Sequence, residues 1–214
     1  MSPKRKPTKK NSPDYSRYIL ISGGTLVIAG LVLMAAIFWP ILSIEINYRL
    51  QQDKAIFKNT TTQAKEIQPL NDAFGIVIPK IGANAKIIPN VDPYNSKEYQ
   101  QALTRGVAHA KGSVYPGRTG NMFIFSHSSV NFFEALRYNA VFYLLDKLET
   151  NDAIHLYFHK EKFVYRVTEK KLVDPDASIY LTEKTNDKIV TLMTCWPPGT
   201  TFKRLIIRGI LQEQ

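Results

Sequence analysis

The 214-residue chain has one cysteine, Cys195, which excludes an intramolecular disulfide and a multi-cysteine zinc site. It has four histidines and no HExxH run, which leaves little room for a metalloenzyme, and no cofactor motif is present. It carries no internal repeat. Acids are in short supply, 18 against 28 Lys and Arg, for a formal net charge of +10. Half of that excess lies in residues 1–18, where Lys4, Arg5, Lys6, Lys9, Lys10 and Arg17 face Asp14 alone. The remaining basic residues are dispersed among acids, which disfavours a nucleic-acid surface. What the chain does not lack is apolar residues, 44% with eleven each of Phe and Tyr, so it has the composition of a globular protein. Its length allows one compact domain and an extension.

The one long uncharged run is residues 19–39, ILISGGTLVIAGLVLMAAIFW, with Tyr18 and Trp39 at its ends and Pro40 after it. As a helix it would span roughly 31 Å, the thickness of a bilayer's hydrocarbon core. Ser22 and Thr25 do not make the polar stripe of a core helix. No small-x-small cleavage site follows around Phe38–Ser43, so the run reads as an uncleaved transmembrane anchor. The basic tail is then expected on the cytoplasmic side and the rest outside the cell membrane, crossing once. The expected organisation is a cytoplasmic tail at 1–18, an anchor at 19–39, a polar stalk at 40–73 and a folded domain at 74–214.

From Phe74 onward short apolar runs alternate with turns. Strands are expected at Phe74–Pro79, Ala85–Ile88, Asn121–Ser126, Ala153–His159, Lys162–Lys170, Lys188–Cys195 and Arg204–Leu211. Short helices are expected at Lys97–Leu103 and near Phe132–Arg137. Asn121–Ser126 is apolar enough to be buried on both faces. This mostly β pattern over about 140 residues points to a closed barrel.

Cys195 ends a strand, the loop Trp196–Lys203 follows, and Arg204 opens the returning strand. If the two strands pair as a hairpin, Cys195 faces Arg204 with Cβ atoms ~5 Å apart, both on the polar face. Arg208 lies roughly 13 Å further along. A single cysteine is most often an inert buried hydrophobe, but a thiol at a strand end beside a guanidinium has the surroundings of a nucleophile. Such a nucleophile needs a proton-transfer partner and an oxyanion donor. His127 ends the buried strand and would be held rigidly at a barrel rim. His109, in the loop Ala108–Gly112, is the rival. His155 and His159 share one face of an alternating strand and read as solvated surface.

Thr191–Cys195 (TLMTC), followed after a short loop by Arg204 and an apolar strand, resembles the TLxTC-and-Arg motif of sortases. Gly75–Gly82 is similar to the family's first strand pair, Gly106–Asn121 to its loop leading to the histidine strand, and Val173–Asp176 to a recurring turn. The resemblance implies an eight-stranded sortase-type β-barrel and a cysteine transpeptidase; no cofactor is expected, and the calcium dependence of some relatives, which comes from acidic loop residues, is not carried over to this chain. Such an enzyme cleaves an LPxTG-like sorting signal between Thr and Gly through a thioester. It then transfers the acyl group to an amine of a cell-wall precursor or a pilin. Carried over, Cys195 is the nucleophile, His127 the general acid/base and Arg204 the oxyanion and substrate donor, with Thr194 and Trp196 contacting substrate. Ser126 stands where many relatives carry Gly. No second apolar 20-mer follows the domain, which argues against the pilin-type class. The reading from another class is a non-catalytic, membrane-tethered β domain that binds anionic wall polymer or nucleic acid.

Overall fold

The computed structural model describes residues 21–36, 39, 43, 46, 50, 67–128, 141–176 and 179–213. The chain divides into two units, residues 1–42 and 43–214. In the first, residues 21–36 are helical with their large apolar side chains exposed. Among the described residues no helix is long and apolar enough to cross a membrane. Part of the apolar run at 19–39, most of the stalk and the helix expected near 132–137 lie outside the described residues.

The second unit is a closed barrel of eight strands: β1 (Phe74–Ile78), β2 (Ala83–Val91), β3 (Val107–Ala110), β4 (Gly120–Phe125), β5 (Ala153–Phe158), β6 (Glu161–Val173), β7 (Lys188–Trp196) and β8 (Lys203–Leu211). The order around it is β1-β2-β3-β4-β7-β8-β6-β5. The pairs β2–β3 and β4–β7 are parallel and the others antiparallel. Closure leaves no free sheet edge. Among the described residues two short α-helices accompany the strands, α1 (Ser96–Leu103) and α2 (Ile179–Thr182). Helix α1 starts at Asn95, whose Oδ1 accepts from Glu98 N–H while Glu98 Oε1 accepts from Asp92 N–H. These bonds satisfy one orphan donor of the first turn and one backbone N–H ahead of the helix.

Strand parity sorts the apolar side chains into two clusters. Met122, Ile124, Val190, Leu192, Leu205 and Ile207 point into the barrel with Ile76, Ile78, Leu156 and Tyr165. Phe123 and Phe125 point outward and pack with Ala102 and Leu103 of α1, Tyr180 and Leu181 of α2, and Met193. The expectation for Asn121–Ser126 is met, since β4 is covered on both faces. The expectation that β7 has an open polar face is corrected. Thr191 is fully buried and Met193 is packed under the helices, so that face opens only near Cys195.

Val107–Ala110 is a strand and not the loop expected at Ala108–Gly112. Its approach to β2 depends on Gly106, where any Cβ would run into the Lys86 carbonyl. The barrel unit is also tied down before Phe74. Asn84 accepts from Leu70 N–H and donates to the Gln68 carbonyl, and Lys160 N–H reaches the Asp72 carbonyl. Lys80, in the 3-10 turn Pro79–Ile81, reaches Glu149 and Asp152 at 2.9 Å each. Burial works against its charge, but the two carboxylates outweigh that and hold its pKa above the ordinary value.

The long β3–β4 connection is pinned from inside. Gly117 has φ 78° and lies against the Phe163 ring, and its N–H donates to Tyr165 Oη at 3.1 Å. Burial raises the Tyr165 pKa, with the Gly117 bond working the other way. Tyr165→Phe should therefore cost about 1 kcal/mol, because it orphans the Gly117 N–H without changing the barrel's volume. Urea denaturation of the barrel segment checks this, and a neutral substitution would contradict the anchor.

Candidate active site

The parallel register of β4 and β7 pairs Ile124 with Leu192 and Phe125 with Met193. The pairing runs on past the end of β4. Ser126 N–H donates to the Met193 carbonyl at 3.1 Å, and Thr194 Oγ1 donates to the Ser126 carbonyl at 3.0 Å. Two residues beyond Phe125 and Met193, the same parity brings His127 and Cys195 side by side on the outer face. The antiparallel register of β7 and β8 then sets Cys195 opposite Arg204, as the hairpin argument requires. His127, Cys195 and Arg204 thus form a row across three neighbouring strands, which lie about 4.8 Å apart.

All three line one cleft of about 290 Å³. Phe125 and Met193 contribute to its floor, Tyr99, Leu103 and Pro93 bound it on the helix side, and Thr201 stands on the loop side. Cys195 is half-buried, a free thiol with no disulfide partner. Arg204 Nη1 donates to the carbonyls of Thr201 and Lys203 at 3.1 and 3.2 Å. These bonds fix the guanidinium plane, and a guanidinium has five N–H donors in all. The loop that supplies Thr201 is itself a tight turn. Thr200 N–H returns to the Pro197 carbonyl at 3.0 Å across Pro198 and Gly199, with Gly199 at φ 82°, the left-handed position of a type II turn.

Thr194 also borders the cleft, but its side chain is turned inward and buried. Its hydroxyl is committed to the link between the ends of β4 and β7. Trp196 has the same inward parity and packs against the inner cluster, outside the cleft lining. Of the two roles that strand-end position allows, substrate contact and rim plug, the packing is that of the plug. Ser128, next to His127, is buried with an Oγ that has no hydrogen-bond partner.

His109 is the structural histidine of the pair. It is 1% exposed on the inner side of β3, with its ring 4.8 Å from that of Tyr115 and 5.7 Å from that of Phe74. Its Nδ1 accepts from Asn90 N–H and its Nε2 faces the Val114 carbonyl at 3.0 Å, which fixes the Nε2–H neutral tautomer. Burial lowers its pKa, against the contacts to Val114 and to Ser113, whose Oγ lies 2.9 Å from Nε2. His155 is half-buried on β5, while His159 is exposed in the β5–β6 turn at φ 51°. Neither lines the cleft. Among the described residues no three His, Cys, Asp or Glu side chains converge in a way that could hold a metal ion.

A thiol between an imidazole and a guanidinium at the end of a parallel strand pair can attack a carbonyl, shuttle a proton and hold an oxyanion. The family model of the sortase domain matches residues 76–212. The chain belongs to the sortase family, a family of cysteine transpeptidases. It is 31% identical over 166 residues to Sortase D of Bacillus subtilis (strain 168), covering 74% of this chain and 75% of that protein. Among solved structures it is similar to Sortase A from Corynebacterium diphtheriae, at 27% identity and TM-score 0.56 over 67% of this chain and 62% of that one. A Clostridium perfringens Sortase D5 transpeptidase shares the fold at 20% identity and TM-score 0.53, over 84% and 99% of the two chains. The chain therefore spans about three quarters of the Bacillus protein and under two thirds of the Corynebacterium structure. The resemblance to sortases holds at the level of the family, and so does the closed eight-stranded barrel.

The lowered pKa of His109 has a consequence for stability. Its ordinary value is 6.5, and in the fold it titrates lower. The unfolded chain therefore binds more protons below that value, so stability is full above about pH 6.5 and falls as the pH drops through it. Thermal unfolding of the barrel segment between about pH 7.5 and 5.5 should show this fall, and His109→Gln should flatten it. The same slope in both proteins would contradict the assignment.

Proposed function

We propose that the barrel cleaves an LPxTG-like sorting signal between Thr and Gly and passes the acyl group to an amine of a cell-wall precursor or a pilin. The observation that carries this reading is the row of His127, Cys195 and Arg204 across β4, β7 and β8. The Cys195 Sγ, as thiolate, attacks the Thr carbonyl carbon, and the carbonyl electron pair moves onto oxygen. Arg204, always charged, donates to that oxyanion. The C–N bond then breaks, His127 as imidazolium protonates the departing Gly amine, and a thioester remains on Cys195. An incoming amine gives a proton to His127 as it attacks the thioester carbon, and the thiolate leaves. Thr194 serves by holding the two strand ends in register.

The apolar run at 19–39 and the basic tail before it support a single-pass anchor, with the tail cytoplasmic and the barrel outside the membrane. The cleft's floor of Phe125 and Met193 suits an apolar peptide stretch beside the scissile bond.

Intact-protein mass spectrometry on residues 67–214, incubated with a pool of LPxTG-like peptides, tests the chemistry. The expected mass gain equals the peptide's N-terminal fragment, is discharged by triglycine or hydroxylamine, and is absent in Cys195→Ala. Arg204→Lys should lower the acylation rate by about 10²–10³-fold, the loss of one oxyanion donor. No adduct with any peptide, together with a Cys195 inert to alkylation, would overturn the reading.

A further inference from the structure

A second and larger recess, of about 590 Å³, lies beside the active-site cleft, and Pro93 borders both. One wall is Leu181–Thr185, from the connection between β6 and β7, and Asn121 stands beneath it at the start of β4. That wall is held at two points. Asn121, 5% exposed, donates from Nδ2 to the Tyr180 carbonyl at 2.7 Å, and its Oδ1 accepts from the fully buried Thr191 hydroxyl at 2.7 Å. Arg208, paired with Thr191 on β8, donates from Nη2 to the Glu183 carboxylate at 3.0 Å and from Nη1 to Glu169 at 3.4 Å. Its side chain is 17% exposed, so this charge-assisted contact is partly shielded from solvent. Tyr180 and Leu181 add apolar packing on the same outer cluster as Phe125 and Met193. The polar chain from Thr191 through Asn121 thus links the floor of β7 to the wall.

The Asn121 end of the recess is too far from Cys195 to serve the residues at the scissile bond. Asn121 precedes His127 by six positions, roughly 20 Å along an extended strand. The four motif residues on the acyl side of the Thr–Gly bond reach only about 13 Å in extended form. Of a donor's two sides, the acyl side stays attached to Cys195 while the other is cleared for the incoming amine.

We propose that Asn121 and Arg208 are positioning residues that fix the segment 179–183 as a preformed wall, and that the recess behind it receives donor residues preceding the sorting motif. This rests on the transpeptidase reading and adds a binding determinant that does not touch the reacting atoms. Its signature is a KM effect that depends on peptide length.

The test compares three peptides on residues 67–214: the bare motif, the motif extended by several residues at its N-terminus, and the motif extended equally at its C-terminus. The N-terminal extension should lower KM about three- to tenfold with kcat unchanged. That gain should disappear in Arg208→Gln and Glu183→Gln and persist in Arg208→Lys. Acyl-enzyme formation on the bare motif should be the same in every variant. Glu183→Gln, on a partly exposed connection, keeps the test valid if Arg208→Gln unfolds, with far-UV circular dichroism as the check. An undiminished gain in the variants, no gain at all, or a gain from the C-terminal extension would overturn the inference while leaving the transpeptidase intact. Absence of any acyl-enzyme on wild-type protein would remove both.

Discussion

The register of two parallel strands sets everything else in the site. Hydrogen bonding of β4 to β7 fixes Phe125 beside Met193, and the bonds from Ser126 N–H and Thr194 Oγ1 carry that register past the end of the sheet. A slip of one residue would turn His127 to the opposite face from Cys195, because side chains alternate with a period of two. The buried hydroxyl of Thr194 therefore matters to the chemistry although it is turned away from the reacting atoms. Arg204 inherits its place from the same frame through the β7–β8 hairpin. A barrel supplies such a frame well, since closure leaves no edge strand able to slide.

The surroundings of the row follow from the outer cluster. Helix α1 and the connection carrying α2 cover β4 and β7 up to the level of Phe125 and Met193 and leave the strand ends uncovered. The thiol emerges where that cover stops. The bottom of the cleft is thus apolar while its chemistry sits at the rim, an arrangement that desolvates a bound peptide beside the thiol. The tight turn over Pro197–Thr200 supports Thr201, whose carbonyl in turn holds Arg204.

Much of this was legible in the sequence wherever the contacts are local. The hairpin between Cys195 and Arg204 spans only a short loop, so parity alone placed the two residues opposite each other. The apolar run Met122–Phe125 of β4 announced burial on both faces. What escaped sequence reading depends on distant segments. The four residues of β3, between Gly106 and Gly112, are too few for a period-two pattern, and only the fold reveals why Gly106 is needed beside Lys86. The cover over Thr191 and Met193 comes from helices about 90 residues before and about 10 residues before β7, so the face that reads as polar is largely buried. For His127 and His109 the sequence left both as candidate bases. Strand parity in three dimensions separates them, with His109 pointing into an aromatic cluster and His127 into the cleft.

The placement of His127 beside Cys195 is the claim on which the account stands, and the lone cysteine makes it directly measurable. In His127→Cys, mild oxidation should join the new thiol to Cys195, since neighbouring strand positions fall within the Cα separation a disulfide tolerates, about 4.4–6.8 Å. Free-thiol titration of the monomer would then find none. His109→Cys, on the inner face, should keep both thiols under the same conditions. Two free thiols in His127→Cys, or a bridge in His109→Cys, would contradict the register and with it the site.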